Sequence, residues 1–152
     1  MDLVGYTALT DERGDEAAAA LAREFRRTTG ALCREHGATQ VKSMGDGVMI
    51  WAPDPAAAIA LAAAVVERVG GRPDLLPVRI GVHTGSAVMR GCDWYGAAVN
   101  VAARLSRQAE PNQALVSAAT REAAGGAGDA LSGCAELELR GVRRPVSVWR
   151  LA

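Results

Sequence analysis

Residues 39–51 read Thr39-Gln40-Val41-Lys42-Ser43-Met44-Gly45-Asp46-Gly47-Val48-Met49-Ile50-Trp51. Two short runs of strand-forming residues, 39–44 and 48–51, flank Gly45-Asp46-Gly47. An Asp-Gly between apolar runs is a strong hairpin signal, because glycine supplies the positive φ of a tight turn. The first run also carries Lys42, the only lysine of the chain; every other Lys or Arg is arginine. An arginine-rich composition reflects genome bias, and a lysine kept in that background stands there either by chance or for its chemistry. Lysine is a compact point charge on a flexible stem and arginine a wide planar fork, and a tight site does not exchange them.

The elements around this hairpin follow from periodicity and punctuation. Residues 1–6 read as the tail of a strand ending at Gly5. Leu21, Phe25, Thr28 or Thr29, and Leu32 recur at helical spacing and predict a helix over 15–36, ended by Gly37. Asp54-Pro55 is an N-cap followed by a first-turn proline, and opens a helix running to Gly70-Gly71. Val78, Ile80 and Val82 alternate with Arg79, Gly81 and His83, as a two-faced strand does. A further strand is expected over 86–90, a helix over 96–109, a strand at Leu115-Val116 and a short helix over 118–124. Residues 125–133 are glycine-rich and read as a surface loop. Residues 137–139 and 146–151 read as a closing hairpin. This order argues an α+β fold, with helices packed mainly on one face of a largely antiparallel sheet.

With 152 residues the chain is expected to form one domain, 1–152, large enough for a hydrophobic core. Formal net charge is zero, so no basic face advertises nucleic-acid binding. The longest apolar stretch, 56–66, is mostly alanine and too short to span a bilayer, so no membrane segment is expected. No basic and apolar leader opens the sequence. Cys33, Cys92 and Cys134 are odd in number and lack metal-ligand spacing, as expected of reduced thiols in a cytoplasmic protein.

Several polar residues are candidates for chemistry. Asp2 lies near the end of the first strand and Asp46 at the hairpin tip. If those strands are neighbours, two carboxylates converge at one sheet end, an arrangement suited to Mg²⁺. The plainer reading makes Asp46 a turn residue and Asp2 a solvated terminal residue. Leu3-Val4-Gly5-Tyr6-Thr7 leads toward a helix, and N–H groups at a glycine turn before a helix can cradle phosphate. Asn100 and Arg104 are four apart and share a helix face, with Val99, Ala102 and Ala103 in the neighbouring stripe to pack on the sheet. Such a pair can orient a hydroxyl and neutralise a phosphate, or be an ordinary exposed face. Asp93 reads as a turn residue unless it joins that site. A lone histidine on a strand, such as His83, is more often structural than catalytic. Cys92 has no histidine partner and makes a poor nucleophile.

Taken together, these pieces resemble a class III nucleotidyl cyclase catalytic domain. Asp2-Leu3-Val4-Gly5-Tyr6-Thr7 is similar to that family's first metal motif, and Lys42-Ser43-Met44-Gly45-Asp46-Gly47 to its second. Arg79-Ile80-Gly81-Val82-His83-Thr84-Gly85 resembles its central strand. Asp93-Trp94-Tyr95-Gly96, then Val99-Asn100-Val101-Ala102-Ala103-Arg104-Leu105, resembles the segment with the remaining active-site residues. Leu139-Arg140-Gly141-Val142 with Pro145-Val146 resembles the closing hairpin. The resemblance covers nearly the whole chain.

It implies a palm-type, ferredoxin-like fold acting as a head-to-tail homodimer that converts ATP to cyclic AMP and pyrophosphate. It places two Mg²⁺ or Mn²⁺ ions on Asp2 and Asp46, with the Leu3 carbonyl assisting. Lys42 and Asp93 would read adenine from the other subunit, Asn100 orient the ribose and Arg104 stabilise the transferring phosphate. Gly5, Tyr6, Thr7 and Arg140 complete the substrate-binding set. The family's guanylate cyclases carry acidic and small residues at the Lys42 and Asp93 positions, so this pair implies ATP. Relatives have several more strand residues before the first aspartate, so the first strand is expected to be cut short. The link 89–92 is shorter than the dimerisation arm of many relatives, and an upstream regulatory domain is a possible partner. The rival expectation is a non-catalytic cyclase-like module that binds nucleotide or only dimerises. An unrelated ferredoxin-like binding domain is the weaker third.

Overall fold

The structure is a computed structural model and describes residues 1–151. Strand β1 (Asp2–Leu3) leads into helix α1 (Tyr6–Glu35), followed by β2 (Thr39–Met44), β3 (Gly47–Trp51), α2 (Pro55–Gly70) and β4 (Val78–Val82). A small hairpin, β5 (Val88–Arg90) with β6 (Asp93–Tyr95), precedes α3 (Ala97–Gln108), β7 (Gln113–Ser117) and α4 (Ala118–Ala123). A 3₁₀ turn (Gly125–Ala130) then feeds β8 (Leu131–Leu137), which pairs with β9 (Val146–Leu151).

The central sheet has the order β1-β4-β7-β9-β8. Only β4 and β7 run parallel; the other pairings are antiparallel. Met1 and Val48 exchange main-chain N–H···O bonds of 3.0 Å in both directions, which carries the sheet on to β3 and β2. The first half of the chain is therefore a βαββαβ unit in the order β2-β3-β1-β4, the ferredoxin-like arrangement.

Alternation along the strands decides which helix lies on which face. Val78 and Ile80 of β4 and Ala114 of β7 are buried with Phe25 and Leu32 of α1 and Leu61, Val65 and Val69 of α2. Leu115, from the other face of β7, packs with Val101 and Leu105 of α3 and with Leu139 and Val148. Helices α1, α2 and α4 thus share one face, and α3 alone covers the other. The α2 cap is the expected one: Asp54 Oδ1 accepts from the Ala56 N–H at 3.0 Å, ahead of Pro55. Among the described residues no helix is long and apolar enough to cross a membrane.

Contact between α3 and β4 depends on Gly81. A Cβ there would lie 2.2 Å from the Ala102 carbonyl oxygen and 2.4 Å from the Ser106 nitrogen. Both obstacles are main chain and cannot rotate away. Gly81→Ala is expected to lower the urea unfolding free energy by about 3 kcal/mol, the upper end of ordinary overpacking costs. A loss below about 0.5 kcal/mol would show that α3 sits on β4 more loosely than this.

Five expectations need correction. Helix α1 begins at Tyr6, with a break at Gly14 (φ 84°, ψ 166°). The segment before the break exposes most of its residues and has no apolar stripe to read. The buried stripe of α3 is Val101, Leu105 and Ser106, and Ala103 is exposed. Asp93 opens β6 opposite Arg90, with Gly91 (φ 61°) in the turn. A three-residue strand is too short to show a period. The stretch 125–133 is a 3₁₀ turn and the start of β8, not a loop. In β8 only Leu131 is buried, because an edge strand gains its hydrogen bonds from one side and buries little. Leu139 lies beyond that strand, in a turn closed by Val142 N–H donating to the Leu139 carbonyl at 2.9 Å; its apolar character serves α3 packing.

Candidate active site

Three groups of polar residues stand at the places the sequence singled out. The first is acidic. Asp2 faces Arg79 directly in the β1–β4 register, and Arg79 Nη2 donates to Asp2 Oδ2 at 2.8 Å. The other oxygen, Oδ1, points toward the hairpin turn, 3.7 Å from where a Cβ on Gly47 would stand. That turn carries Asp46. Burial and the adjacent Asp2 carboxylate push the Asp46 carboxyl above its usual range, against the opposing pull of Arg79. The two carboxylates therefore do converge at one sheet end, because Met1–Val48 pairing lays β1 beside β3. Among the described residues no cluster of three or more His, Cys, Asp or Glu is placed to hold a metal, so this site has two carboxylates only. Hard oxygen donors with open positions fit Mg²⁺ or Mn²⁺, which keep water and phosphate as their other ligands.

The second group joins the two hairpins. A β-bulge between Gln40 and Lys42 shifts the β2 register and re-aims the lysine. Lys42 Nζ donates to Asp93 Oδ2 at 2.5 Å, with both side chains partly buried, and lies 5.8 Å from the Tyr95 ring centre. The Lys42 ammonium holds the Asp93 carboxyl below its usual range. Asp93 Oδ1 accepts from its neighbour's Trp94 N–H at 2.8 Å. Trp94 in turn stacks on Trp51 of β3, ring centres 5.6 Å apart and planes 9° from parallel. Offset aromatic pairs of this kind stabilise by roughly 0.5–1.5 kcal/mol beyond area burial. The stack clamps β6 onto the β2–β3 hairpin and so fixes the Lys42–Asp93 pair.

The third group lies on α3 and the loop after β8. Asn100 is exposed and Arg104 half-buried. The Arg104 guanidinium rests against Gly141, with Nη2 3.3 Å from where a Cβ would sit; Gly141 has φ 74°. Arg140, next to it, is exposed and lines a shallow cavity of about 480 Å³ with Arg143 and Arg144. Gly5 (φ 81°) precedes α1 without a side-chain cap, so the N–H groups at Tyr6 and Thr7 lack helical partners. His83 stays out of these groups. Its Nδ1 is 2.8 Å from Ser117 Oγ, in a chain of hydroxyls with Thr120 and Thr84, and burial pushes its pKa down. Sequence reasoning missed the parts played by Arg79, Trp51 and Trp94. Only the register opposite Asp2 reveals the first, and only the hairpin packing reveals the stack.

The fold and these motifs together define a class of protein. The chain belongs to the adenylate and guanylate cyclase catalytic domain family, whose model matches residues 1–152. It is 36% identical over 157 aligned positions to a pH-sensitive adenylate cyclase of Mycobacterium tuberculosis, covering 99% of this chain and 38% of that protein. It is 33% identical to an adenylate cyclase of Streptomyces coelicolor, covering 80% of this chain and 32% of that one. The chain thus spans about a third of the length of these curated relatives. Among solved structures, an adenylate cyclase of Trypanosoma brucei in its monomeric state superposes with a TM-score of 0.90 at 22% identity, over 99% of this chain and 84% of that one. The guanylyl cyclase Cya2 superposes with a TM-score of 0.79 at 25% identity, over 99% and 88%. The palm-type fold is therefore the one the sequence implied.

Proposed function

We propose that residues 1–152 form a single catalytic domain that converts ATP to cyclic AMP and pyrophosphate, as a homodimer with shared active sites. The observation that carries the reading is the Lys42–Asp93 ion pair, held at 2.5 Å, in a chain that also brings the Asp2 and Asp46 carboxylates together. An ammonium has three donors and a carboxylate about four acceptor sites, so each partner keeps capacity for a base edge while bonded to the other. Lys42 donates to a ring nitrogen of adenine and Asp93 accepts from the exocyclic amine.

The remaining residues have roles their chemistry supports. Asp2, Asp46 and the Leu3 carbonyl would hold two Mg²⁺ or Mn²⁺ ions. When bound, such ions acidify the ribose 3′-hydroxyl and neutralise charge on the α-phosphate. The N–H groups at Gly5, Tyr6 and Thr7 receive phosphate oxygens at the helix start. Asn100 orients the ribose. Arg104 stabilises charge on the transferring phosphate, and Arg140 adds a cation for the triphosphate. Catalysis here is positioning plus electrostatics, with no protein nucleophile. Exposed Val88, Met89 and Tyr95 on the β5–β6 hairpin give a second copy an apolar surface to meet.

Purified protein given ATP and Mn²⁺ is expected to yield cyclic AMP and pyrophosphate, with ATP preferred over GTP. Lys42→Glu combined with Asp93→Cys should reverse that preference. Each good contact contributes on the order of 1–3 kcal/mol, because the wrong base leaves a buried polar group unpaired. The ATP:GTP ratio of kcat/KM should then fall by at least about thirtyfold. Wild-type preference for GTP, or an unchanged ratio in the double variant, overturns the base assignment. Binding without product makes the domain a non-catalytic module.

A further inference from the structure

The β5–β6 hairpin carries Asp93, yet it has no place in the main sheet: β5 and β6 pair only with each other. Among the described residues no main-chain hydrogen bond joins β6 to β2 or β3. An isolated two-stranded hairpin is marginal in water, so the position of Asp93 beside Lys42 rests on side chains. Alternation puts Asp93 and Tyr95 on one side of β6, where Lys42 lies against both, and Trp94 on the other, where Trp51 meets it. Strand β6 is thus gripped from two sides. The ion pair is the weaker grip, because Lys42 is 35% exposed and pairs open to water hold little. The stack is the stronger one and serves no core. Trp51 is 40% exposed, and neither ring belongs to the apolar clusters that join the sheet to its helices.

Trp94 is tied to Asp93 twice, through the peptide link and through its N–H, which donates to Asp93 Oδ1. Whatever fixes the Trp94 ring therefore fixes the Asp93 carboxylate. We propose that the Trp51–Trp94 stack is a positioning element that sets base choice, by holding β6 so that Lys42 and Asp93 meet one purine edge together. The proposal rests on the reading of Lys42 and Asp93 as the residues that read adenine. A donor and an acceptor discriminate between bases only while both are fixed. When one drifts, adenine loses a contact and guanine loses a penalty. Opening the stack should therefore narrow the difference between ATP and GTP. It should act on KM more than on kcat, since Asp2 and Arg104 have holds of their own, on Arg79 and against Gly141. A stack that only stabilises the fold predicts a lower melting temperature, with the hold on Lys42 and the base choice unchanged.

The single lysine of the chain supplies the probe. Acylation by an N-hydroxysuccinimide ester, read by peptide mass mapping that separates the amino terminus, reports how often Lys42 leaves Asp93. The variants are Trp51→Leu and Trp51→Ala, which cannot stack, Trp51→Phe, which can, and Asp93→Asn as the reference for a freed lysine. Thermal midpoints and the kinetics with ATP and with GTP are measured on each. Loss of the stack should raise Lys42 acylation roughly three- to tenfold, toward the Asp93→Asn rate. The ATP:GTP ratio of kcat/KM should fall by a similar factor, mainly through KM for ATP. Trp51→Phe should stay within about twofold of wild type in both. A lower midpoint with acylation and base ratio unchanged makes the stack structural and overturns the proposal. So does failure of both Trp51→Leu and Trp51→Ala to fold. Faster acylation with an unchanged ratio, in a wild type that prefers ATP, overturns the claim on base choice. If wild type makes no product or shows no preference for ATP, the base reading falls, and the claim on base choice with it. The acylation rates still decide whether the stack holds Lys42 on Asp93.

Discussion

Asp46→Ala should abolish cyclic AMP formation, by at least about a thousandfold, while leaving the fold intact or steadier than before. The catalytic half follows from the site: with one carboxylate gone, Asp2 alone faces the space where metal and phosphate would meet. The stability half follows from the sign of the Asp46 shift. Burial and the Asp2 carboxylate raise its folded-state pKa above the unfolded value. A raised carboxyl pKa means the charged form costs folding energy at neutral pH, and that cost is relieved as pH falls through the folded pKa. In chelator at pH 7.5 the variant should therefore melt at or above the wild-type temperature. The difference should shrink as pH is lowered past the raised pKa, where wild type also carries a neutral group. The measurements are product formation with Mn²⁺ and thermal unfolding at two pH values. A fall of 10 °C or more in midpoint would make Asp46 a structural turn residue, and retained activity would remove it from the site.

How much of this could be read from the chain varies with what fixes each feature. The β2–β3 hairpin and the start of α2 depend on local chemistry, Gly45-Asp46-Gly47 and Asp54-Pro55, and both stand where the residues put them. Strand β4 was legible because its two faces meet different helices, which writes alternation into Val78–Val82. Strand β8 was not, because an edge strand with exposed Ser132, Gly133 and Cys134 carries no such pattern. The first segment of α1 escaped for a similar reason. The site divides along the same line. Residue types at Asp2, Lys42, Asp46, Asp93, Asn100 and Arg104 were visible at their spacing. Their partners were not, since Arg79 meets Asp2 across 77 positions and Trp94 reaches Trp51 only through hairpin packing.

Asp46→Ala and Arg104→Ala, each inactive alone, should together regain about a quarter of wild-type activity when their subunits are mixed. The expectation comes from a head-to-tail dimer in which one subunit gives Asp2 and Asp46 and the other gives Lys42, Asp93, Asn100 and Arg104. The arrangement within one chain is compatible with that division. Arg104 rests on Gly141 in the loop after β8, and among the described residues no ion pair joins it to Asp2 or Asp46. In a mixed dimer one site then carries both defects and the other carries none. Random exchange makes about half of all dimers mixed, each with one intact site of two. Arg104→Ala should not confound the result through unfolding, since the side chain is half-buried and its deletion removes no buried apolar packing. The experiment follows cyclic AMP formation after mixing, alongside native mass spectrometry of tagged subunits. Activity should rise at the rate of subunit exchange and fall on dilution at the rate of dissociation. Mixed dimers seen by mass with no recovered activity would put the whole residue set in one subunit and overturn the shared site.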